Sequence, residues 1–478
     1  MPNIFIILPI HLINPKLIPR KCKIIMIEDP IYFGYRQNNL NFNKLKLVLH
    51  RASMKYYQVL LKSKGYKVKY IDFKDILRFG RNKYLKDYDQ VFMFDPVDHL
   101  VLKEYKKSCD ELIVYDSPIF IDTLDDLDEY EQLRKKKGHK KYYHSSFYTW
   151  QRKKLNILVG SKTYDTQNRE SLPQNIKIPK LPKGDQNTKY VREAQRYINK
   201  HFPNNYGDTK YFMYPITHKT SKVWLRNFIN TRLPLFGTYQ DAISTRGDFL
   251  FHSILSPMIN IGLLTPREVI NEVTKAYYAN SRKIKINNYE GFIRQVIGWR
   301  EYQRYLYEFA YKQMVSRNFF GNTRKLSKKW YQGTTGVLPI DHAIQTAFKY
   351  GYLHHIQRLM IMSNFMNLCG ISPKEAYKWF MEFAIDSYDW VMIGNVYSMG
   401  MFADGGLSMR KPYISSSSYI LRMSDYPRDN WTKVWDLLYR AFWTKHAAKL
   451  KRYYGLGRPT LLKSQKDRDL AKQILKKI

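Results

Sequence analysis

Five short apolar runs near the start of the chain limit its fold more than any other feature. They are Asn3–Leu8, Lys23–Ile27, Lys67–Ile71, Gln90–Phe94 and Glu111–Tyr115, and their Ile, Val, Phe and Tyr content predicts strands. Between the second and third, Phe42–Lys64 has helical periodicity and stops at Gly65. Strands alternating with helices predict a parallel α/β sheet covered on both faces. Such sheets bind ligands at the carboxyl ends of their strands, yet no Gly-rich phosphate fingerprint occurs here.

The pattern then changes. Asp122–Glu131 is acidic and Arg134–Lys141 basic, which predicts a solvated junction. Gly160–Asp185, rich in Pro, Lys, Gln and Asn, predicts a linker crossing the surface. From Lys189 onward the signal is helical. Thr265-Pro266-Arg267-Glu268 and Ser372-Pro373-Lys374-Glu375 each combine an N-cap, Pro at the first helical position and Glu three residues after the cap. The expected organisation is an α/β domain over 1–130, a linker over 131–190 and a large all-helical domain over 191–478. At 478 residues the chain is too long for one small core, which agrees with two domains.

Charge and cysteine content narrow the function classes. Lys and Arg number 80 against 41 Asp and Glu, a formal net charge of +39. A lysine-rich composition accounts for many of the lysines but not for the shortage of acids, so a polyanionic partner such as nucleic acid is expected. Cys22, Cys109 and Cys369 stand far apart, which excludes a disulfide framework and a cysteine-ligated zinc site. No apolar run is long enough to span a bilayer, and Met1–Ile13 is followed by strand-like sequence rather than a cleavage site. The expectation is a soluble, intracellular monomer.

Polar chemistry recurs inside apolar surroundings in the helical half. Gly351-Tyr352-Leu353-His354-His355-Ile356-Gln357-Arg358-Leu359-Met360 reads as a buried helix carrying two histidines and an arginine, closed by Gly370. Histidine exchanges protons near neutral pH, and arginine holds phosphate or carboxylate in a fork. The other segments are Phe251-His252-Ser253-Ile254-Leu255-Ser256-Pro257 with Asn260, and Glu290-Gly291-Phe292-Ile293-Arg294-Gln295 with Trp299-Arg300-Glu301-Tyr302. Further along lie Trp379-Phe380-Met381 with Asp386, Tyr388 and Trp390, then Ala403-Asp404-Gly405-Gly406 and Lys411-Pro412-Tyr413-Ile414-Ser415. Taken singly, each has a structural explanation: a cap, a core tryptophan, a buried ion pair.

Together, from about Phe147 to His446, they resemble the FAD-binding helical domain of the photolyase/cryptochrome superfamily, and most of all its bacterial iron-sulfur branch. Phe147-Tyr148, Tyr164-Asp165 and Asn168-Arg169 extend the match, and the N-terminal pattern is similar to the family's Rossmann-like antenna domain. The resemblance implies FAD as cofactor and UV-damaged DNA as partner. Ser253 and Ser256 would hold the FAD phosphates, Arg300 and Arg358 the flavin or its pyrophosphate, and Asp386 the isoalloxazine or ribose side. Asn260 and Asn395 join the same pocket. His355 matches the lesion-side histidine, a proton donor for repair of a (6-4) photoproduct flipped out of the duplex. His354, turned about 100° from it on a helix, would pack or orient. Tyr413 would stack on the lesion. Trp379, Trp390, Tyr388, Trp330 and Tyr331 fall where family members pass electrons, with Trp379 and Trp390 bracketing Asp386.

The chain also departs from that branch. Its cluster needs four thiolates, and the matching positions read Pro339, Pro427, Asn430 and Lys433, so no iron-sulfur cluster and no other metal is expected. Trp431, Trp435, Tyr439 and Trp443 are expected to fill that core instead. Met392 stands where the branch has an acidic residue beside flavin N5, and methionine neither donates nor accepts well there. The branch binds a lumazine-like second chromophore, but Leu8-Pro9-Ile10-His11-Leu12 differs from its usual opening, leaving Glu28 as the acidic residue to examine. The leading expectation is a photolyase-type lyase; the rivals are a cryptochrome-like blue-light receptor that binds FAD without repair, and a DNA-binding relative without flavin.

Overall fold

The computed structural model describes residues 3–19, 22–36, 39–160, 163–167, 169–453 and 455–478; Asn168 lies outside them. β1 (Ile4–Ile7), β2 (Lys23–Ile27), β3 (Val68–Ile71), β4 (Val91–Phe94) and β5 (Leu112–Tyr115) form one sheet in the order β3-β2-β1-β4-β5. Every pairing is parallel. β1 is central, so all four of its residues are buried and no position along it tolerates a polar side chain. The helix Lys44–Ser63 crosses from β2 to β3, capped by the Asn43 side chain, which accepts from Leu45 N. The five apolar runs are therefore the five strands, and the chain continues almost wholly in helices.

The expected solvated junction forms only in part: Asp125, Asp128, Glu129 and Lys135 to Lys137 are exposed. Thr123 and Asp126 make a reciprocal capping box that starts the helix Leu124–Lys136. Asp122, Glu131 and Arg134 are all buried. Lys154 Nζ is 2.9 Å from Asp122 and Tyr305 Oη donates to Glu131 at 2.6 Å, both from elsewhere in the fold, while Arg134 forks onto Glu131 within the same helix at 2.7 and 2.8 Å. Opposite charges that meet in three dimensions escape the rule that charged runs stay solvated.

Residues 163–185 carry no helix or strand among those described, yet they are pinned to the helices beneath. Trp224 Nε1 donates to Lys183 O at 3.2 Å, and Arg232 Nη2 to Pro179 O at 2.9 Å. Gly184 lies so close to Met213 that a Cβ would sit 1.9 Å from its carbonyl oxygen. The helix Glu301–Val315 docks the helical part onto the sheet domain. Glu301 accepts from Ile121 N and Asp122 N, and Arg304 reaches Asp95 at 3.2 Å. Burial, reinforced by Asp122, pushes the Glu301 carboxyl up to about 8.

Candidate flavin site

Three π-helical segments, Arg294–Arg300, Gln357–Ser363 and Ile393–Gly400, converge on one cavity of about 880 Å³. Local widening of a helix re-aims side chains and recurs at functional sites. The cavity lies toward the upper end of the roughly 300–1,000 Å³ usual for ligand pockets. Ser253, Ser256, Asn260, Arg300, Arg358, Asp386, Met392 and Asn395 all line it, as do His355, Tyr413 and Trp390.

The inner wall is one hydrogen-bonded chain. Arg300 Nη1 donates to Asn260 Oδ1 at 2.8 Å, and Asn260 Nδ2 donates to Asp386 O at 2.9 Å. Asp386 accepts from Ser256 Oγ at 2.6 Å and from Arg358 Nη2 at 3.0 and 3.2 Å. Arg300 also donates to Ile119 O and lies 4.6 Å from the centre of the Trp390 ring. Among the described residues no carboxylate pairs directly with it and its Nε has no partner; burial lowers its guanidinium to about 10.

At the mouth, His355 Nε2 is 3.2 Å from Asp241 Oδ1, and 41% of its side chain is exposed. The Lys411–Ser416 segment that carries Tyr413 is held by a reciprocal pair, Ser415 N to Asn364 Oδ1 (3.1 Å) and Asn364 Nδ2 to Ser415 Oγ (2.9 Å). Trp435 Nε1 donates to Ser415 O at 3.0 Å, which ties this segment to the C-terminal helix Asn430–Leu450.

The histidine segment needs correction. Helical geometry starts at His355, not at Gly351. Gly351 takes φ +64° to end the preceding helix Leu338–Tyr350, and its carbonyl accepts from Ile385 N at 2.8 Å. His354 thus precedes the helix rather than lying 100° around it. It is buried, stacked on His252 with ring centres 4.4 Å apart, and does not line the cavity. Burial holds both imidazoles well below the usual histidine range.

The candidate electron carriers divide. Trp390 is on the cavity wall, whereas Trp379 points away, its indole donating to Trp330 O at 2.8 Å. Of the two, only Trp390 lines the cavity with Asp386. Trp379 sits 5.2 Å from cavity-lining Phe380 and 6.1 Å from Phe348, which leads to Tyr331 at 6.1 Å and Tyr206 beyond at 4.8 Å. Tyr388 faces the sheet domain, with its hydroxyl 2.8 Å from His50 Nε2.

Of the positions expected to ligate a cluster, Pro339 is buried, whereas Pro427, Asn430 and Lys433 are exposed. Pro339 is buried at the start of its helix, Pro427 O accepts from Trp431 Nε1 at 2.9 Å, and His342 Nδ1 is 2.6 Å from Tyr426 Oη. Trp431, Trp435, Tyr439 and Trp443 are buried there, as expected. Glu28 is fully buried and occupied by Arg51 at 2.9 Å, Tyr70 at 2.5 Å and Phe73 N at 2.9 Å.

Comparison with known proteins agrees with this geometry. Residues 6–214 match the family described as deoxyribodipyrimidine photo-lyase-related protein, and residues 290–419 match the FAD binding domain of DNA photolyase. A (6-4) photolyase of Agrobacterium fabrum is 36% identical over 341 residues, 67% of this chain and 66% of that protein. The chain belongs to the photolyase-related family.

Solved structures agree on the fold of this photolyase-related chain. A class III photolyase of Agrobacterium tumefaciens superposes with a TM-score of 0.53 at 17% identity over 100% of this chain and 98% of its own. A Synechocystis cryptochrome gives 0.54 at 13% over 99% and 98%. The match to the Agrobacterium fabrum enzyme spans just under two thirds of that enzyme's length.

The cavity residues fit FAD. Arginines, hydroxyls and a carboxylate stand at one wall, while Arg300 Nε and His252 Nε2 are buried without partners. Orphaned polar atoms in a deep cavity are what a polar ligand would satisfy. Sequence reasoning missed two cavity-lining residues: Asp241, which stands apart from the motifs, and Gln303, which directly follows Trp299-Arg300-Glu301-Tyr302. No helix among the described residues is long and apolar enough to cross a membrane.

Proposed function

We propose that this chain is a light-driven DNA-repair flavoprotein acting on (6-4) photoproducts. The observation that carries the reading is the two-storey cavity. Arg300, Asn260, Asp386, Arg358 and Ser256 form its inner wall, and His355 with Asp241 and Tyr413 stands at its mouth.

Arg300 and Arg358 would hold the pyrophosphate or ring edge of FAD, Ser253 and Ser256 its phosphates, and Asn395 and Met392 line the same cavity. When bound and reduced, FAD supplies one photo-excited electron to the lesion and takes it back. The rest falls to the chain's own residues. Asp241 orients His355, which in its protonated form delivers a proton to the flipped lesion at the mouth. Tyr413 stacks on an unstacked base. Trp390, on the cavity wall, and Trp379, one ring behind cavity-lining Phe380, would carry electrons from an external reductant to the cofactor. The net charge of +39 supplies the attraction to phosphate that any such encounter needs. The similar (6-4) photolyase supports the choice of lesion.

The test is illumination of an oligonucleotide carrying a (6-4) photoproduct, with His355→Ala as the comparison. Repair by wild type and its loss in the variant is the expected result. Repair that survives in the variant removes His355 as donor; no repair by either protein, with FAD bound, favours the second reading. That reading, a cryptochrome-like receptor, rests on Met392 at the cavity wall and on Pro339, Pro427 and Asn430 where thiolates would be needed.

A further inference from the structure

Gln303 presents an amide that the protein itself leaves unanswered. It is 1% exposed, lines the cavity, and neither Nε2 nor Oε1 has a hydrogen-bond partner. The atom labels do not matter, because both ends of the amide are orphaned. Burying a primary amide without partners is unfavourable, so a native structure that does so usually reserves the group for a ligand.

The position is built for this side chain. Gln303 lies one helical turn beyond Arg300, at the start of the helix Glu301–Val315. Its Oε1 rests against Gly394, where a Cβ would come within 1.8 Å of it and within 3.0 Å of Cδ. Gly394 belongs to the π-helical segment Ile393–Gly400, next to Asn395 and two residues from Met392, both on the cavity wall. Asn395 turns its own Nδ2 back to Val391 O at 2.9 Å, and the Met392 thioether is at best a weak acceptor. Among these three, the uncommitted donor–acceptor pair belongs to Gln303.

We propose that Gln303 is a ligand-contacting residue whose amide hydrogen-bonds the polar edge of the ring system held in this cavity, in the place that Met392 leaves without a hydrogen-bonding group. With the FAD reading above, on which this rests, that ring is the isoalloxazine.

Gln303→Met keeps the length and removes both hydrogen-bonding atoms. FAD titrated into the ligand-free full-length protein should bind about tenfold more weakly to the variant, the effect of one net hydrogen bond. The ligand-free variant should melt no lower than wild type, because the orphaned polar atoms are gone. The visible bands of bound FAD should shift between the two proteins, since the ring's hydrogen bonding differs. Gly394→Ala, which displaces the amide by its methyl, should weaken FAD in the same direction. Affinity and spectrum of Gln303→Met indistinguishable from wild type overturn the proposal. So does a parallel loss of affinity and ligand-free stability in Gln303→Met, which would assign Gln303 to packing. A wild-type protein that takes up no FAD overturns the cofactor reading itself, a separate outcome.

Discussion

Asp386→Ala should destabilise the ligand-free protein by about 3 kcal/mol, and most of that loss should vanish when Arg358 is also removed. Asp386 is 6% exposed and accepts from Arg358 Nη2 and Ser256 Oγ. Breaking a buried ion pair from one side costs about 3–5 kcal/mol, because the remaining charge stays buried. Arg358 keeps 18% of its side chain exposed, and its Nε still donates to Leu353 O at 2.7 Å, which places the effect at the low end. Arg358→Met/Asp386→Ala removes both charges, so the double variant should regain about 2 kcal/mol relative to the sum of the singles. Urea midpoints for the four proteins complete the cycle. A coupling below about 0.5 kcal/mol would mean that the pair is screened like a surface salt bridge. The inner wall would then be open to water, and the enclosed site argued above would be wrong.

Three more outcomes follow from the same geometry. The Lys46 amine is buried, and burial with help from Arg36 lowers it to about 7, while the unfolded chain titrates near 10.5. The unfolded state therefore holds the extra proton between those values, so this group makes stability rise with pH by up to about 1.4 kcal/mol per unit across that window. Lys46→Met should flatten that slope in melts at pH 7 and 9; an unchanged slope refutes the lowered value. For His354 the folded group is held below the histidine range, so the protein should lose stability as pH falls through about 6.5, by up to about 1.4 kcal/mol per unit. His354→Leu should weaken that acid sensitivity, and a melt series from pH 7 to 5 reads it. Finally, purified protein should lack stoichiometric iron by elemental analysis, and a fixed iron content per chain would contradict the reading of Pro339, Pro427 and Asn430.

The strands were legible because a central parallel strand needs an unbroken apolar run, as in Ile4–Ile7. Thr265 was legible because a capping box is local: its side chain accepts from Glu268 N at 3.2 Å, three residues on. The burial of Asp122 and Glu131 was missed because Lys154, Arg304 and Tyr305, which reach these residues, lie outside any sequence window. His354 was misread for a similar reason. The turn at Gly351 is held by a backbone bond to Ile385, which periodicity cannot reveal. Gln303 left no signal, since a glutamine within Tyr302-Gln303-Arg304 is unremarkable until its amide is seen facing Gly394. Motif matching brought the cavity's polar residues together; it could not show which of them already satisfy one another.

That distinction bears on why the sheet domain matters to the cavity. Beside Asp386, which Arg358 and Ser256 hold from within the helical part, the following residues are gripped from both sides. Lys46 Nζ donates to both oxygens of Ser387, His50 meets the Tyr388 hydroxyl, and Arg36 lies 3.5 Å from Asp389. Lys46 and His50 share one face of the helix Lys44–Ser63, four residues apart. The sheet domain thus fixes the backbone that carries Asp386 into the cavity, whatever does or does not bind near Glu28. Lys46 adds a charge argument. With no carboxylate in direct contact, its amine is poised near neutrality beside Asp386. An added negative charge in the cavity would favour its protonated form, because opposite charges at close range in a low-dielectric interior attract strongly.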